Sequence, residues 1–270
     1  MPLRLTPTLR HRLQDSGRPL FGGWVCSGSP VMAEIMAGSG LDWVLIDMEH
    51  APNGLESVLA QLHAVTGYPV TAVVRVPSAD PVVIKQVLDL GAQTILVPMV
   101  STEEQARAVA AAAQYPPNGI RGVGSALARS ARWNRVPAYL ENAAEHVSVF
   151  VQVETEEGVK NARAIAAVAG IDGVFVGPSD LAASMGLLGQ QTHPEVLTAV
   201  RRAFRAVAEA GRPVGVNAFD PRAAENYAAD GARFLLVGAD VALAARASEA
   251  LAAHFITDAQ YDGGSVPPSY

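Results

Sequence analysis

The stretch VSVFVQVETEEGVKNARAIAAVAGIDGVFVG (147–177) contains two β-type runs on either side of one helical pattern. The runs 147–154 and 173–177 are mostly apolar and do not alternate, which is typical of parallel strands that are buried on both faces. The segment between them has helical spacing and ends at Gly170, as helices often do. The stretch therefore predicts a strand–helix–strand unit with parallel strands.

The same alternation of strand and helix runs along the whole chain. Strand-like runs occur at 19–25, 42–47, 70–76, 94–100, 147–154, 173–177, 213–218 and 233–238. Eight strands, each followed by a helix, in about 250 residues match a (β/α)8 barrel. An open, doubly wound sheet is the alternative, but no G-x-G-x-x-G motif follows the first strand to support a dinucleotide site. We therefore predict an α/β fold of the (β/α)8 TIM-barrel type.

Composition indicates one globular domain. The chain has 270 residues, of which 50% are hydrophobic and 17% are charged, so a large buried core is expected. We expect a single domain over residues 1–270, with flexible extensions at about 1–17 and 258–270.

The formal net charge of -6 disfavours a general binder of nucleic acid or membrane surfaces. The single cysteine, Cys26, excludes an internal disulfide. Because the N-terminus has no apolar core like that of a signal peptide, a cytoplasmic location is expected.

Polar side chains lie at or just after the C-terminal ends of five predicted strands. They are Asp47, Glu49, His50, Arg75, Gln152, Glu154, Ser179, Asp180 and Asn217. In a barrel of this type the C-terminal ends of the strands form one rim, and active sites gather there. The sequence therefore predicts an active site on this rim.

Glu154 and Asp180 are carboxylates from neighbouring strand ends. With water and a chelating substrate they would form an oxygen site for Mg, Mn or Co. The alternative is structural, since Glu154 precedes a helix and Asp180 lies where a helix cap would be. Their occurrence together beside a Gly-Pro turn favours the metal site. Backbone N–H groups at Gly177 and Ser179 could also hold a carboxylate.

His50 and Arg75 are candidates for acid–base and electrostatic roles. Asp47 could orient His50 as a general base, although a histidine in a loop is more often a surface group. Arg75 ends an apolar strand, so its guanidinium requires a carboxylate or an anionic ligand. It is suited to stabilising an oxyanion, and a structural ion pair with Glu49 or Glu154 is the alternative.

The two lysines lie away from the predicted rim. Lys85 and Lys160 both fall in helical stretches, which disfavours a Schiff-base aldolase. Carbanion chemistry here would then require a metal as the electron sink.

Cys26 has no activating partner in the sequence and is predicted to be a small packed residue. The long connection at 115–140 is predicted to be functional.

These residues resemble the HpcH/HpaI aldolase family, the class II pyruvate aldolases. The matching stretches cover about residues 20 to 255 in the family's order and spacing: LDWVLIDMEHAPNG, VVRVP, DPVVIKQVLDLGAQTILVPMV, YPPNGIRGVGSALARSARWNR, VQVETEEG and DGVFVGPSDLAASMG. The resemblance implies a homohexamer, with the last helix exchanged between subunits. It also implies cleavage of 4-hydroxy-2-oxo acids to pyruvate and an aldehyde, for example of 4-hydroxy-2-oxoheptane-1,7-dioate to pyruvate and succinic semialdehyde in aromatic compound catabolism.

The resemblance also implies roles for individual residues. Glu154 and Asp180 would hold the divalent metal, while Gln152, Gly177 and Ser179 would contact the substrate. His50 would be the base and Arg75 would stabilise the oxyanion. Asp89 matches a carboxylate that reaches a histidine of a neighbouring subunit, and Asp47 matches a further acid near the histidine. Which of these two acids tunes His50 stays open.

Two departures from the family pattern leave the substrate open. They are Met48 beside the histidine segment and the stretch FDPRAAEN (219–226) after the seventh strand. The alternatives are a 2-keto-3-deoxy sugar acid aldolase, a citramalyl- or malyl-CoA-type lyase and a catalytically silent 2-oxo acid binder.

Overall fold

A computed structural model describes residues 3–256 of the chain. Its eight strands are β1 (Leu20–Val25), β2 (Trp43–Asp47), β3 (Thr71–Arg75), β4 (Thr94–Val97), β5 (Ser148–Val153), β6 (Gly173–Val176), β7 (Val214–Asn217) and β8 (Phe234–Ala239). Its helices are α1 (Leu9–Asp15), α2 (Pro30–Ala37), α3 (Leu55–Ala64), α4 (Pro81–Asp89), α5 (Glu103–Ala113), α6 (Glu156–Ala167), α7 (Pro178–Ser184), α8 (Pro194–Glu209), α9 (Pro221–Ala229) and α10 (Asp240–Phe255).

The strands form a closed, all-parallel barrel in chain order, and β8 pairs with β1. This confirms the predicted (β/α)8 barrel and excludes the open sheet. Strand β4 ends at Val97, three residues before the predicted end at 100. Pro98 has no N–H to donate to a neighbouring strand, and Met99 has a positive φ of 57°.

Helix α1 lies against the N-terminal end of the barrel, within the segment predicted as the N-terminal extension. Leu9 and Leu13 are buried. The N–H of Leu9 donates to Oγ1 of Thr94 at the start of β4 (3.2 Å), and Oγ of Ser148 donates to Thr8 at the start of β5 (2.6 Å). The predicted C-terminal extension, 258–270, lies outside the described residues.

Part of the barrel interior is filled by aromatic side chains that face glycines on neighbouring strands, beside aliphatic side chains such as Leu45 and Leu96. Three pairs lie directly opposite each other in the strand register: Gly22 with Trp43, Gly173 with Phe150, and Gly215 with Phe234. A Cβ atom added at any of these glycines would lie less than 3.0 Å from the paired ring. The missing side chain on one strand therefore makes the space for the ring on the next.

Two helices on the C-terminal rim begin with the same dipeptide, Asp-Pro. The Asp80 carboxylate accepts from the N–H of Val82 at the start of α4 (2.7 Å), and the Asp220 carboxylate accepts from the N–H of Ala223 at the start of α9 (2.8 Å). Each carboxylate satisfies an N–H that has no partner inside its helix.

The long connection between α5 and β5 is anchored by a buried arginine. Arg121 lies over the ring of Tyr115 at 4.6 Å and forms an ion pair with Asp89 at 2.7 Å.

Within residues 3–256, no helix is long and apolar enough to cross a membrane.

Candidate active site

The last inward-facing residues of β2 and β3 form a buried ion pair. Asp47 and Arg75 are direct partners in the strand register. The guanidinium donates from Nε to Oδ1 of Asp47 and from Nη2 to Oδ2, both at 2.7 Å. This two-pronged geometry is the strongest arrangement for an arginine and a carboxylate, and it fixes the direction of the guanidinium.

The third nitrogen of Arg75 connects the ion pair to Glu49, just after β2, and to the end of β5. Nη1 lies 2.8 Å from Oε2 of Glu49 and donates to Oε1 of Gln152 at 3.3 Å. The amide of Gln152 donates in turn to Oε2 of Glu154 at 2.6 Å. Five of the predicted rim residues, Asp47, Glu49, Arg75, Gln152 and Glu154, therefore form one polar chain across the mouth of the barrel. The predicted structural alternative for Arg75, an ion pair with Glu49, is also present.

Negative charge exceeds positive charge around this polar chain of side chains. Asp47, Glu49 and Glu154 are close to one arginine, and the charge of Asp180 also acts on both glutamates. Burial raises the pKa of Glu154 to about 7, and the charges of Asp180 and Glu49 add to this effect. Burial also raises the pKa of Glu49. Burial lowers the pKa of Arg75, but Asp47 and Glu49 outweigh it, so the net shift is upward.

The surroundings of Glu154 fit a divalent cation. Glu154 is 2% exposed, and its Oε1 accepts from the N–H of Met99 at 2.7 Å. Gly177 leaves room for this carboxylate, because a Cβ there would lie 2.6 Å from Oε2. No group of three or more His, Cys, Asp or Glu in residues 3–256 is placed to hold a metal. A cation here would have Glu154 and Asp180 as ligands and would require other oxygen ligands from water or substrate.

His50 lies at the outer edge of this arrangement. Its side chain is 68% exposed, and Nε2 is 3.9 Å from Oε1 of Glu49. Asp47 accepts from the backbone N–H of His50 at 3.3 Å, so this acid holds the histidine segment through its main chain. In the described structure the carboxylate paired with the imidazole is that of Glu49.

Asp89 lies at the C-terminal end of α4, where it binds Arg121. In this barrel the helices run opposite to the strands, so the end of α4 lies at the other end from the active-site rim. One chain therefore does not bring Asp89 to its own His50. Its predicted role toward a neighbouring subunit stays a prediction.

Sequence reasoning missed Trp24. The guanidinium of Arg75 lies over its ring, 4.3 Å from the centroid, and the indole N–H donates to Oδ1 of Asn217 at 2.8 Å. Trp24 therefore supports the face of the arginine that its carboxylate partners leave open. Counting every second residue along β1 from Gly22 reaches Trp24 on the inner face, so the pattern contained the signal.

Ser179 lies beside a cavity on the same rim. This cavity has a volume of about 410 Å³ and is lined by residues that follow β6 and β7. A larger cavity of about 740 Å³ lies between α1 and the loop before β5. It is at the other end of the barrel and contains none of the predicted site residues.

Cys26 follows β1 beside the polar chain. Burial raises the pKa of its thiol to about 12, and the charges of Asp47 and Asp240 contribute. We expect its thiolate fraction at pH 8 to be about a thousandfold below that of an ordinary cysteine, so iodoacetamide should modify the folded protein very slowly. The rate is measured by mass spectrometry, with the protein in concentrated guanidinium chloride as the reactive control. Modification of the folded protein at the rate of free cysteine would contradict this prediction.

The chain is similar to several known proteins of one family. The family model described as HpcH/HpaI aldolase/citrate lyase matches residues 20–247. A Deinococcus radiodurans protein named hydroxypyruvate/pyruvate aldolase is 53% identical, over 94% of this chain and 92% of its own. A Shigella flexneri protein named 4-hydroxy-2-oxo-heptane-1,7-dioate aldolase is 51% identical, over 89% of this chain and 90% of its own. The crystal structure of an HpcH/HpaI aldolase/citrate lyase family protein from Burkholderia cenocepacia superposes with a TM-score of 0.88 at 41% identity, and covers 92% of this chain and 99% of that chain.

Proposed function

Because the chain belongs to the HpcH/HpaI aldolase/citrate lyase family, we propose that it catalyses the reversible, divalent-metal-dependent cleavage of 4-hydroxy-2-oxo acids to pyruvate and an aldehyde. It is an enzyme, a pyruvate aldolase of the carbon–carbon lyase class. One observation supports this reaction most directly. The guanidinium of Arg75 is fixed between Asp47 and Glu49 beside the buried carboxylate of Glu154.

The reaction requires one proton to leave the substrate and one to return. A base removes the proton from the C4 hydroxyl, the C3–C4 bond breaks, and the aldehyde leaves. The electron pair of that bond remains as the enolate of pyruvate, which takes a proton at C3. A bound divalent cation supplies Lewis-acid stabilisation of the 2-oxo acid, as is general in this family.

The residues of this chain have separate tasks in that reaction. Arg75 stabilises the oxyanion, because its fixed charge needs no reorganisation when negative charge develops. His50 is the base, and it is exposed enough to exchange its proton with water. Asp47 holds both the guanidinium and the backbone of His50 in place.

The other predicted residues hold the reacting molecules. Glu154 and Asp180 would hold the metal, and Gln152 orients Glu154 through its 2.6 Å hydrogen bond. Gly177 and the backbone around Ser179 contact the 2-oxo acid. Asp89 acts on a histidine of a neighbouring subunit.

The relatives favour two kinds of substrate. The names of the 53% and 51% identical relatives point to a hydroxypyruvate/pyruvate aldolase and to an aldolase for 4-hydroxy-2-oxoheptane-1,7-dioate. The second substrate would give succinic semialdehyde with pyruvate. A 2-keto-3-deoxy sugar acid aldolase uses the same chemistry with a hydroxylated aldehyde, and a citramalyl- or malyl-CoA-type lyase is the alternative from another reaction class.

The metal is Mn, Co or Mg, since oxygen ligands suit these ions. The enzyme is a homohexamer in the cytoplasm, and with 4-hydroxy-2-oxoheptane-1,7-dioate as its substrate it would belong to aromatic compound catabolism. Gel filtration with light scattering measures its size, and a monomer at working concentration would contradict the hexamer.

Exchange of the methyl protons of pyruvate with deuterium oxide tests the proposed reaction without any aldehyde. We expect NMR to detect exchange that a chelator abolishes and that Mn, Co or Mg restores, because enolate formation requires the cation. The same metals without protein give the background rate. Absence of exchange with all three metals would overturn pyruvate enolisation and would favour the CoA lyase or the silent binder.

A further inference from the structure

The cavity of about 410 Å³ adjoins the site where the 2-oxo acid is proposed to bind. Its wall includes Ser179, which directly precedes Asp180, and Asn217, which binds the indole of Trp24 beneath Arg75. A substrate held by the metal ligands and Arg75 would therefore extend its remaining part into this space. The inference below rests on the proposed function, because it concerns the aldehyde half of the same substrate.

Neutral polar groups line this cavity. Ser179, Gln191, Thr192 and Asn217 are all part of its wall. Asn217 accepts one hydrogen bond from Trp24 through Oδ1, which leaves its NH2 group to donate. Such groups match substrate hydroxyls, which both donate and accept hydrogen bonds.

Cationic side chains are absent from the cavity wall in the described part of the chain. The wall contains no Arg, Lys or His, and its acidic residue is Asp220. Tyr227 also lines the cavity, and the nearby Arg201 is held by Asp230 in a 2.7 Å ion pair. The N–H of Ala223 at the start of α9 is already taken by Asp220. A carboxylate on the aldehyde would thus meet the charge of Asp220 without a cationic side chain in the wall, and both like charge and lost hydration disfavour its binding.

We propose that this cavity selects a neutral, hydroxylated aldehyde over an aldehyde that carries a terminal carboxylate. Asn217 and Ser179 bind its hydroxyl groups, and Asp220 repels an acidic end. The selected substrate is then a 4-hydroxy-2-oxo acid with further hydroxyl groups, assembled from pyruvate and a short sugar-like aldehyde.

Three aldehydes separate the contributions of hydroxyl and charge. D-glyceraldehyde carries hydroxyl groups, succinic semialdehyde carries a carboxylate, and butanal carries neither. With pyruvate as the donor, we expect kcat/KM to fall in the order glyceraldehyde, butanal, succinic semialdehyde, with about tenfold or more between the first and the last. Succinic semialdehyde as the best acceptor would overturn the proposal, and so would butanal equal to glyceraldehyde.

Asp220→Asn removes the charge but keeps a side chain that caps a helix equally well. We expect it to raise the kcat/KM of succinic semialdehyde relative to butanal by about two- to fivefold, as for an exposed charge pair. Asp80→Asn is the matched control, since it removes the same charge from the other Asp-Pro cap, outside the cavity. An equal effect of both variants, or no change in the ratio, would overturn the role of Asp220.

The exchange of pyruvate protons with deuterium oxide distinguishes a failure of the proposed selectivity from a failure of the proposed function. An enzyme that exchanges pyruvate protons but prefers succinic semialdehyde contradicts only the proposed selectivity. An enzyme without exchange contradicts the proposed function, and the selectivity with it.

Discussion

Arg75→Ala is expected to lower kcat for aldol cleavage by about 10²- to 10³-fold or more, the cost of losing a fixed donor to an oxyanion. Because the interaction strengthens as charge develops in the transition state, kcat should fall far more than KM changes. Steady-state kinetics of cleavage of the preferred 4-hydroxy-2-oxo acid measures both constants. An unchanged kcat would exclude Arg75 from stabilising the oxyanion.

The alanine variant also removes the partner of two carboxylates. Asp47 is 1% exposed, and Glu49 is largely buried, so the unpaired charges would destabilise the fold by about 3–5 kcal/mol. Arg75→Lys avoids this loss, because it retains a positive charge and loses only the two-pronged geometry. We expect this variant to fold and to bind metal, with kcat reduced about 10- to 100-fold.

Arg201→Lys is the matched control for the lysine variant. Arg201 forms a single 2.7 Å ion pair with Asp230 on the surface, between α8 and the end of α9. Its replacement should leave kcat within about twofold, since exposed ion pairs contribute little. Equal losses in the two lysine variants would show that the effect comes from stability and not from the reaction.

Glu154→Gln is expected to abolish metal binding and to remove a pH dependence of stability. In the metal-free folded protein, the pKa of Glu154 is raised to about 7 from an ordinary value of 4.5. The folded state therefore holds more protons than the unfolded state between these two pH values, and folding stability falls as pH rises through this range. Wild type should gain up to about 3 kcal/mol relative to the variant when the pH is lowered from 8 to about 4.5.

Denaturant unfolding with a chelator, at several pH values, measures this difference. Subtracting the variant from the wild type removes the contributions of other titrating groups. At pH 8, saturating metal should then stabilise wild type but not Glu154→Gln, because only the wild type binds it in the folded state. Glu156→Gln changes an exposed acid two residues away and should respond to metal as wild type does. A difference that is flat with pH, or equal stabilisation by metal, would contradict this account.

The fold could be predicted from the sequence because the strands are buried on both faces. A continuous apolar run followed by a helical pattern identifies each unit without knowledge of its neighbours. The start of β4 was predicted correctly at Thr94, whereas its end at Val97 depends on Pro98 and on the backbone turn at Met99. This early end places the N–H of Met99 within reach of Glu154.

The candidate site could be predicted as a set of residues but not as a set of contacts. Strand ends indicate which side chains share a rim, yet the pairing of Asp47 with Arg75 depends on the register of β2 against β3. Trp24 is apolar, so a pattern of polar residues at strand ends does not identify it. Its contact with Arg75 connects β1 to β3 across the barrel interior, because both side chains face inward and only β2 lies between their strands. The placement of Asp89 depends on which subunits assemble, and one sequence does not contain that information.

The pairs of glycine and aromatic residues inside the barrel have a consequence for substitution. Gly215 and Phe234 share one volume across the β7–β8 junction, and Gly173 and Phe150 do so across β5–β6. A larger residue in place of the glycine alone would collide with the ring, and a smaller residue in place of the aromatic alone would leave a void. An exchange of the small and the large residue within a pair conserves the volume. Each pair is thus a single unit of covariation, and a mutational library of this barrel would have to vary its two positions together.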